Sequence, residues 1–461
     1  MTPARNPPTK PLLVVLGSTG TGKSDLAVDL ASRFDGEIIN ADAMQLYKGL
    51  PILTNKMNPS ARRGIPHHLL GHIPPLSPPW NVDVFRREAS LVLEDIRSRG
   101  KLPILVGGTH YYLDALLFPD VVLDSLDQRD GNNHHHDHHP HHGLLDEPTH
   151  ILLAELRKCD PAMAERWHPN DRRKILRSLE IFLNTGRTAT ALYAEQEQRR
   201  RAAHQNVGPW DKLLFWVHTD RDVLCHRLDR RVDAMLEAGL LDEVRQLYAL
   251  RREALDPSSV DVTKGIWQSI GYRQFEPYVH DTASSPALKA TALEEVKAAT
   301  RRYAAHQTRW IRYKQTRRLR DQGPEAISSL YLVDSTDPAL FRARVLDPAA
   351  SLVDQFLRGL PRPSPADLSP RAREILAAAW HPPDPPEPPR KHFCDLCQAT
   401  LLSDEAWRRH IGGIAHRRAT VKKKKLALVS CEPQETTRTT TKATTPEAED
   451  RSSSPDITSL F

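Results

Sequence analysis

Short apolar runs at residues 12–16, 37–41 and 102–106 alternate with stretches whose apolar positions recur every three to four residues. In the first such stretch, Asp25 to Phe34, that spacing puts Leu26, Ala27, Leu30 and Ala31 on one face, as expected of a helix laid on a sheet. Strands separated by helices predict a parallel α/β sheet, and a later run, Leu213 to His218, is expected to rejoin it. Between about 121 and 210 the pattern becomes wholly helical, with Leu152, Leu153 and Leu156 and then Ile175, Leu179, Ile181 and Phe182 at helical spacing. This stretch reads as an inserted helical domain. Residues 330–357, with Leu330 to Val333 and then Phe341 to Leu357, are apolar enough to complete the core.

The first strand runs directly into Gly17-Ser18-Thr19-Gly20-Thr21-Gly22-Lys23-Ser24. This is a complete P-loop pattern placed between a strand and a helix. Its glycines let backbone N–H groups wrap phosphate oxygens, Lys23 supplies a point charge, and the Ser24 hydroxyl suits Mg2+. The pattern specifies a di- or triphosphate without naming it, and by itself it fits an ATP-dependent kinase. A second block, Asp42-Ala43-Met44-Gln45-Leu46-Tyr47-Lys48-Gly49, follows the second strand. An aspartate ahead of a helical run caps a helix well, and a carboxylate beside a phosphate cradle also makes a base, so residue types leave both roles open for Asp42.

Together with Pro51-Ile52-Leu53-Thr54-Asn55-Lys56, Pro66-His67-His68-Leu69-Leu70 and Val106-Gly107-Gly108-Thr109-His110-Tyr111-Tyr112-Leu113, these blocks resemble the tRNA dimethylallyltransferases, or tRNA isopentenyltransferases. Later blocks agree in order: His168 to Asp171 leading to Lys174-Ile175 and Arg177 to Glu180; Arg227 to Val232 with Met235-Leu236; Ile270 to Gln274; and Arg302-Tyr303-Ala304 with Gln307 and Trp310. The resemblance spans about residues 10–320. It implies transfer of a dimethylallyl group from dimethylallyl diphosphate to N6 of the adenosine beside the anticodon, position 37, with release of diphosphate.

On this resemblance the P-loop, Gly17 to Ser24, holds the diphosphate, with Mg2+ on Ser24 and with Arg227 and Arg231 as distal candidates for the same clamp. Asp42 is implied as hydrogen-bond acceptor and general base at N6, and Thr109 as a contact to the target nucleotide. Asp42, Ala43, Met44 and Gln45 are implied at the tRNA, Gln45 offering an amide to a base edge. Arg173, Lys174, Ile175, Leu176 and Arg177 match a stretch that meets tRNA in the family, although some relatives carry Gln and Arg where this chain has Arg173 and Lys174. Taken alone, Gly107-Gly108-Thr109 is equally a strand-ending turn.

The chain has 461 residues and a net charge of +6, compatible with a polyanionic partner. Arg301, Arg302, Arg309, Arg312, Lys314, Arg317, Arg318 and Arg320 are interleaved with Tyr303, Trp310 and Tyr313 in what reads as one long helix. Such a helix either follows a phosphate backbone or faces water. No run of some 18 apolar residues exists, so no membrane span is expected. Met1 to Pro11 lacks a signal peptide's apolar region. Five cysteines, two of them a close pair, fit a reducing compartment, and Cys159, Cys225 and Cys431 have no recognisable partners. A cytoplasmic monomer is expected, with mitochondrial and nuclear pools left open.

A tract from His134 to His142 falls in a loop, 132–143, and implies no fixed metal geometry. Prolines from Pro361 to Pro389 make a stiff spacer. Beyond it, Cys394 and Cys397 with His410 and His416 have the spacing of a structural Zn2+ site, the cysteines on a hairpin and the histidines on a helix. The segment resembles RNA-binding fingers of the matrin or U1-C type, which eukaryotic members of the transferase family carry. Arg408, Arg409, Arg417, Arg418 and Lys422 to Lys425 would add phosphate contacts, and the lysine run also suits nuclear import. The expected fold is α/β: a P-loop parallel-sheet core in two parts (1–120 and 211–358), a helical tRNA-binding insertion (121–210), a linker (359–389), a zinc finger (390–420) and a basic, then disordered tail (421–461). A kinase and a non-catalytic RNA-binding protein are the competing readings.

Overall fold

The computed structural model describes residues 6–118, 142–202, 210–253, 260–280, 285–380, 391–401 and 403–429. All but the last residue of the histidine tract, residues 381–389 of the expected linker and the tail beyond 429 lie outside them. The first part of that linker is corrected: Pro370–Trp380 is a helix that buries Ala372, Ile375 and Leu376 in the core of the first unit, so it is no extended spacer. Two compact units emerge: Met1–Ser125 with Gln196–Pro382, and Leu126–Glu195 with Pro383–Phe461.

The first unit is built on six strands, β1 (Pro11–Gly17), β2 (Gly36–Asn40), β3 (His67–His68), β4 (Leu102–Val106), β5 (Asp211–His218) and β6 (Leu330–Asp334). They lie in the order β3-β2-β4-β1-β5-β6, and every pairing is parallel. Because helices cover both faces, the central strands read as continuous apolar runs rather than as an alternation. The pleat still sorts β1: Leu12, Val14 and Leu16 enter one core, and Leu13 and Val15 enter the opposite one. Helix α1 (Lys23–Arg33) supplies Leu26 and Leu30 to the second core, whereas α2 (Val82–Ser98) supplies Phe85, Leu93 and Ile96 to the first. Each such side chain, fully buried, contributes about 1.5–3 kcal/mol. The four long strands expected from the sequence are present; β3, only two residues long, gave no periodic signal.

Three further helices frame the carboxyl edge of the sheet: α3 (His110–Leu117), α4 (Arg221–Glu237) and α5 (Pro286–Trp310). The expected single basic helix is instead α5, a π segment, Ile311–Gln315, and a short helix, Thr316–Asp321. Its cations divide as well. Arg318 pairs with fully buried Asp114, which also accepts from Trp310 Nε1 at 2.8 Å and Gln315 Nε2 at 2.9 Å. Arg301 pairs with Asp229, while Arg302, Arg309, Lys314 and Arg317 face solvent. A buried carboxylate on α3 thus anchors the π segment and its flanks, and several of the basic side chains are engaged within the protein.

In the second unit, helices Thr149–Cys159, Pro161–Arg166 and Arg172–Thr185 bury Leu152, Leu153, Leu156, Met163, Ile175, Leu179 and Ile181. Strands β7 (His392–Cys394) and β8 (Ala399–Leu401) form an antiparallel hairpin followed by helices Asp404–Ile411 and Ile414–Val429. The two histidines of the expected metal site therefore occupy two successive helices, parted at Gly412-Gly413, rather than one. His168 Nε2 meets the carbonyl of Thr400 at 3.1 Å, joining helical segment and hairpin. Among the described residues no helix is long and apolar enough to cross a membrane.

Candidate active site

A parallel sheet brings the loops that follow β1, β2 and β4 to the same edge, where open α/β folds place their ligands. The P-loop follows β1. Gly20 and Gly22 adopt φ of 84° and 87°, which side-chain-bearing residues rarely reach, and a Cβ on Gly20 would lie 2.8 Å from the Leu228 side chain of α4. Lys23 turns its ammonium onto the Ser18 carbonyl at 2.7 Å, and Thr21 Oγ1 donates to the same oxygen at 2.9 Å. Burial lowers the pKa of Lys23 to about 8, with Asp42 opposing that shift and Arg231 adding to it. Ser24 sits in the first turn of α1, its hydroxyl taken by no protein group among the described residues, so a hard oxygen donor is free for Mg2+ beside Lys23.

After β2, Asn40 holds the turn that presents Asp42. Its Oδ1 accepts the Asp42 amide at 3.1 Å, while Nδ2 donates to the carbonyls of Asp42 at 3.1 Å and Leu69 at 3.0 Å. The two carboxylate oxygens of Asp42 then have different surroundings. Oδ1 accepts the Met44 amide at 3.0 Å, which closes a turn ahead of the short helix Met44–Leu46; the N-cap position itself is Ala43 rather than Asp42. Oδ2 faces Gly108, 3.3 Å from where a Cβ would stand on that glycine. Desolvation raises the Asp42 pKa above the ordinary carboxylate value, opposed by Lys23, by the amides of Met44 and Gln45, and by Lys56. Gln45 donates through Nε2 to the Asn55 carbonyl at 3.1 Å.

The turn after β4 closes the site. Gly107 must be glycine, since a Cβ there would fall 2.2 Å from the Ala41 carbonyl. Thr109 donates its amide to that carbonyl at 3.2 Å, and its Oγ1 accepts the Ala43 amide at 2.9 Å. Thr109 is buried and holds the Asp42 segment against β4. Tyr303 of α5 places its hydroxyl 3.4 Å from the Gly108 carbonyl, and its pKa is raised by burial and by Asp42. Next to Thr109, His110 is 4 % exposed, and neither ring nitrogen has a hydrogen-bond partner among the described residues. Burial, Lys23 and His306 push its pKa down to about 3, which keeps it neutral.

The two arginines of α4 approach the P-loop differently. Arg227 donates to three carbonyls, Gly20 at 3.1 Å, Ser335 at 3.1 Å and Thr336 at 3.3 Å. Arg231 donates to Thr19 Oγ1 at 2.8 Å, keeps a buried Nε without a partner among the described residues, and has its pKa lowered by burial to about 10. Lys23, Arg231 and Asp42 thus lie within electrostatic reach of one another.

Known proteins share this sequence and fold. The family model described as IPP transferase matches residues 45–314. The human tRNA dimethylallyltransferase is 35% identical over 428 residues, covering 91% of this chain and 87% of the human protein. The chain belongs to the IPP transferase family. The Schizosaccharomyces pombe tRNA dimethylallyltransferase is 42% identical over 303 residues, covering 66% of this chain and 68% of that protein. A crystal structure of a eukaryotic dimethylallyltransferase acting on tRNA superposes with a TM-score of 0.75 at 30% identity, covering 92% of this chain and 99% of that one. This IPP transferase is a prenyltransferase with a parallel-sheet core.

Elsewhere in the enzyme, Arg173 and Lys174 are exposed at the start of helix Arg172–Thr185, with Lys174 tied to Asp171 at 2.7 Å. Leu176 and Arg177 are half-buried. Ile175 is fully buried, so its side chain anchors the helix. The ligand atoms of Cys394, Cys397, His410 and His416 lie within 4.8 Å of one another, a cluster able to hold a metal ion. His416 Nδ1 is 3.5 Å from each sulfur and 3.2 Å from His410 Nε2. A tetrahedral Zn2+ with its usual bond lengths has edges of ~3.5 Å between S and N and ~3.3 Å between two N atoms, so the donor set fits. Residue type alone gives Asn40, His110, Tyr303 and Gln307 no role, although the last three stand in the sequence blocks that carry the family resemblance.

Proposed function

We propose that the chain transfers a dimethylallyl group from dimethylallyl diphosphate to N6 of the adenosine adjacent to the anticodon of tRNA. Family membership supplies the reaction class. The juxtaposition of a phosphate nest with the Oδ2 face of Asp42 at Gly108 carries the assignment of roles.

The allylic C1–O bond breaks as negative charge gathers on the departing diphosphate, and the amides of the P-loop, Lys23 and Arg231 offset that charge. Mg2+ held by the Ser24 hydroxyl would supply Lewis-acid neutralisation of the same group. As the N6–C1 bond forms, N6 loses a proton, and we assign Asp42 Oδ2 as its acceptor. Thr109 keeps Asp42 in position by holding Ala43. The target base leaves the anticodon-loop stack to reach this edge, at a cost of a few kcal/mol that is least for an unpaired nucleotide. Arg173, Lys174 and Arg177 of the helical unit, with the basic finger, are assigned to the tRNA backbone. Cys394, Cys397, His410 and His416 would hold a Zn2+ that ties that finger together.

The deciding experiment incubates the protein with an unmodified anticodon stem-loop, Mg2+ and labelled dimethylallyl diphosphate. Label should appear on the adenosine beside the anticodon. Label transfer only from γ-labelled ATP would make the chain a kinase.

A further inference from the structure

The donor and acceptor halves of the site lie on separate loops, the P-loop after β1 and the Gly107-Gly108-Thr109 turn after β4. A single side chain from α5 joins them. Gln307 accepts the Thr19 amide on Oε1 at 2.8 Å and donates from Nε2 to the Gly108 carbonyl at 2.9 Å. Its orientation is fixed by its neighbours, because a flipped amide would set N–H against N–H and oxygen against oxygen. Gln307 is 2 % exposed, so water does not substitute for either bond.

Each end of this bridge touches a group that the proposed reaction needs. Thr19 also takes Arg231 on its hydroxyl at 2.8 Å, so its amide and its side chain are both committed and the free cradle amides lie further along the loop. Gly108 stands against Asp42 Oδ2 and Tyr303, and a Cβ on it would come within 2.4 Å of Gln307 Nε2. A diphosphate that orders the backbone at Thr19 therefore acts on the turn that faces the base, through one rigid amide.

We infer that Gln307 is a positioning residue that couples diphosphate binding to acceptor binding. The inference rests on the proposed reaction for its meaning, but the coupling is measurable without it. Ordering one loop through Gln307 reduces what the second ligand must order, so inorganic pyrophosphate should tighten stem-loop binding about 5- to 30-fold.

The test measures the stem-loop Kd by fluorescence anisotropy with and without saturating Mg2+ and pyrophosphate, in the full chain. Gln307→Leu should collapse the ratio toward one. Gln307→Glu still accepts from Thr19 but sets a carboxylate oxygen against the Gly108 carbonyl; it should bind pyrophosphate within about threefold of wild type while losing the coupling and about 10- to 100-fold in kcat, with little change in donor KM. A merely structural glutamine would instead raise both KM values and lower the melting midpoint together. Coupling that survives in the Leu variant, or is absent from the wild type, overturns the inference. Wild-type coupling without prenyl transfer would overturn the proposed function and leave the role of Gln307 standing.

Discussion

Arg231 donates through Nη1 to the hydroxyl of Thr19 at 2.8 Å, the same residue whose amide is held by Gln307. One helical turn earlier on α4, Arg227 spends its guanidinium on three backbone carbonyls that join the P-loop to the end of β6. The sequence offered both arginines as equal partners for the diphosphate. In the fold, one clamps protein to protein, and the other reaches the cradle with a buried N–H still unmatched among the described residues.

Arg231→Gln should therefore lower kcat/KM for the prenyl donor by about 10²–10³, the cost of one preorganised donor to a developing anion, with little change in melting midpoint. Arg227→Gln leaves three carbonyls without a partner and should lower the midpoint and activity together. Steady-state kinetics and thermal melts on the two variants check this. A reversed pattern would exchange the two roles.

Local chemistry made the P-loop, the Asp42 block, the four long strands and the Cys and His cluster legible, because each is written within a few adjacent residues. What the sequence concealed depends on separation along the chain. Gln307 and Thr19 are 288 positions apart, and Gly108 is 199 from Gln307, so no periodicity links them. Glu243, whose carboxylate accepts the amides of Ile52 at 3.0 Å and Leu53 at 2.7 Å, is hidden for the same reason. Asn40 gave no signal because a strand-ending asparagine is common, and its double use at the Asp42 turn exists only in three dimensions. Asp42 itself shows why residue type left two roles open: one oxygen closes a turn and the other faces the site.

The pH profile of kcat/KM reports the free enzyme, and here two opposed groups bound it. On the proposed mechanism Asp42 must be ionised to take a proton, and desolvation raises its pKa, so activity should fall in acid at a pH above the usual carboxylate range. Lys23 must be charged, and its pKa is lowered to about 8, so activity should fall again as pH rises through that value. Arg231, at about 10, stays charged across this range. Lys23→Arg should carry the alkaline limb to higher pH without moving the acid limb, since a guanidinium does not titrate there. An alkaline limb that stays in place assigns it to another group.

Asp42→Asn separates the two oxygens of Asp42. The amide carbonyl can still accept from Met44, preserving the turn, but it takes up no proton from N6. The expected outcome is a loss of ~10²–10⁴ in the single-turnover rate, with stem-loop affinity close to wild type. Asp42→Ala removes the turn contact as well and should weaken both. If the Asn variant loses affinity and rate in equal measure, Asp42 serves the turn alone.

The proposed finger can be tested through metal binding at its Cys and His cluster. Cys394→Ser with Cys397→Ser should abolish binding of one equivalent of Zn2+ per chain, read by a colorimetric release assay, because two thiolates of the four-atom cage are gone. Arg408, Arg409, Arg417 and Arg418 are exposed on the helices that carry His410 and His416, so opening the cage scatters them. On a duplex, each phosphate neutralised adds about 0.9 to the steepness with which log K falls against log salt, so these four arginines would account for about 3.6 of that slope. The variant should therefore bind the anticodon stem-loop more weakly at low salt and with a shallower salt dependence, while pyrophosphate affinity, set by the P-loop, stays within about twofold. Unchanged salt dependence would remove the finger from the tRNA surface.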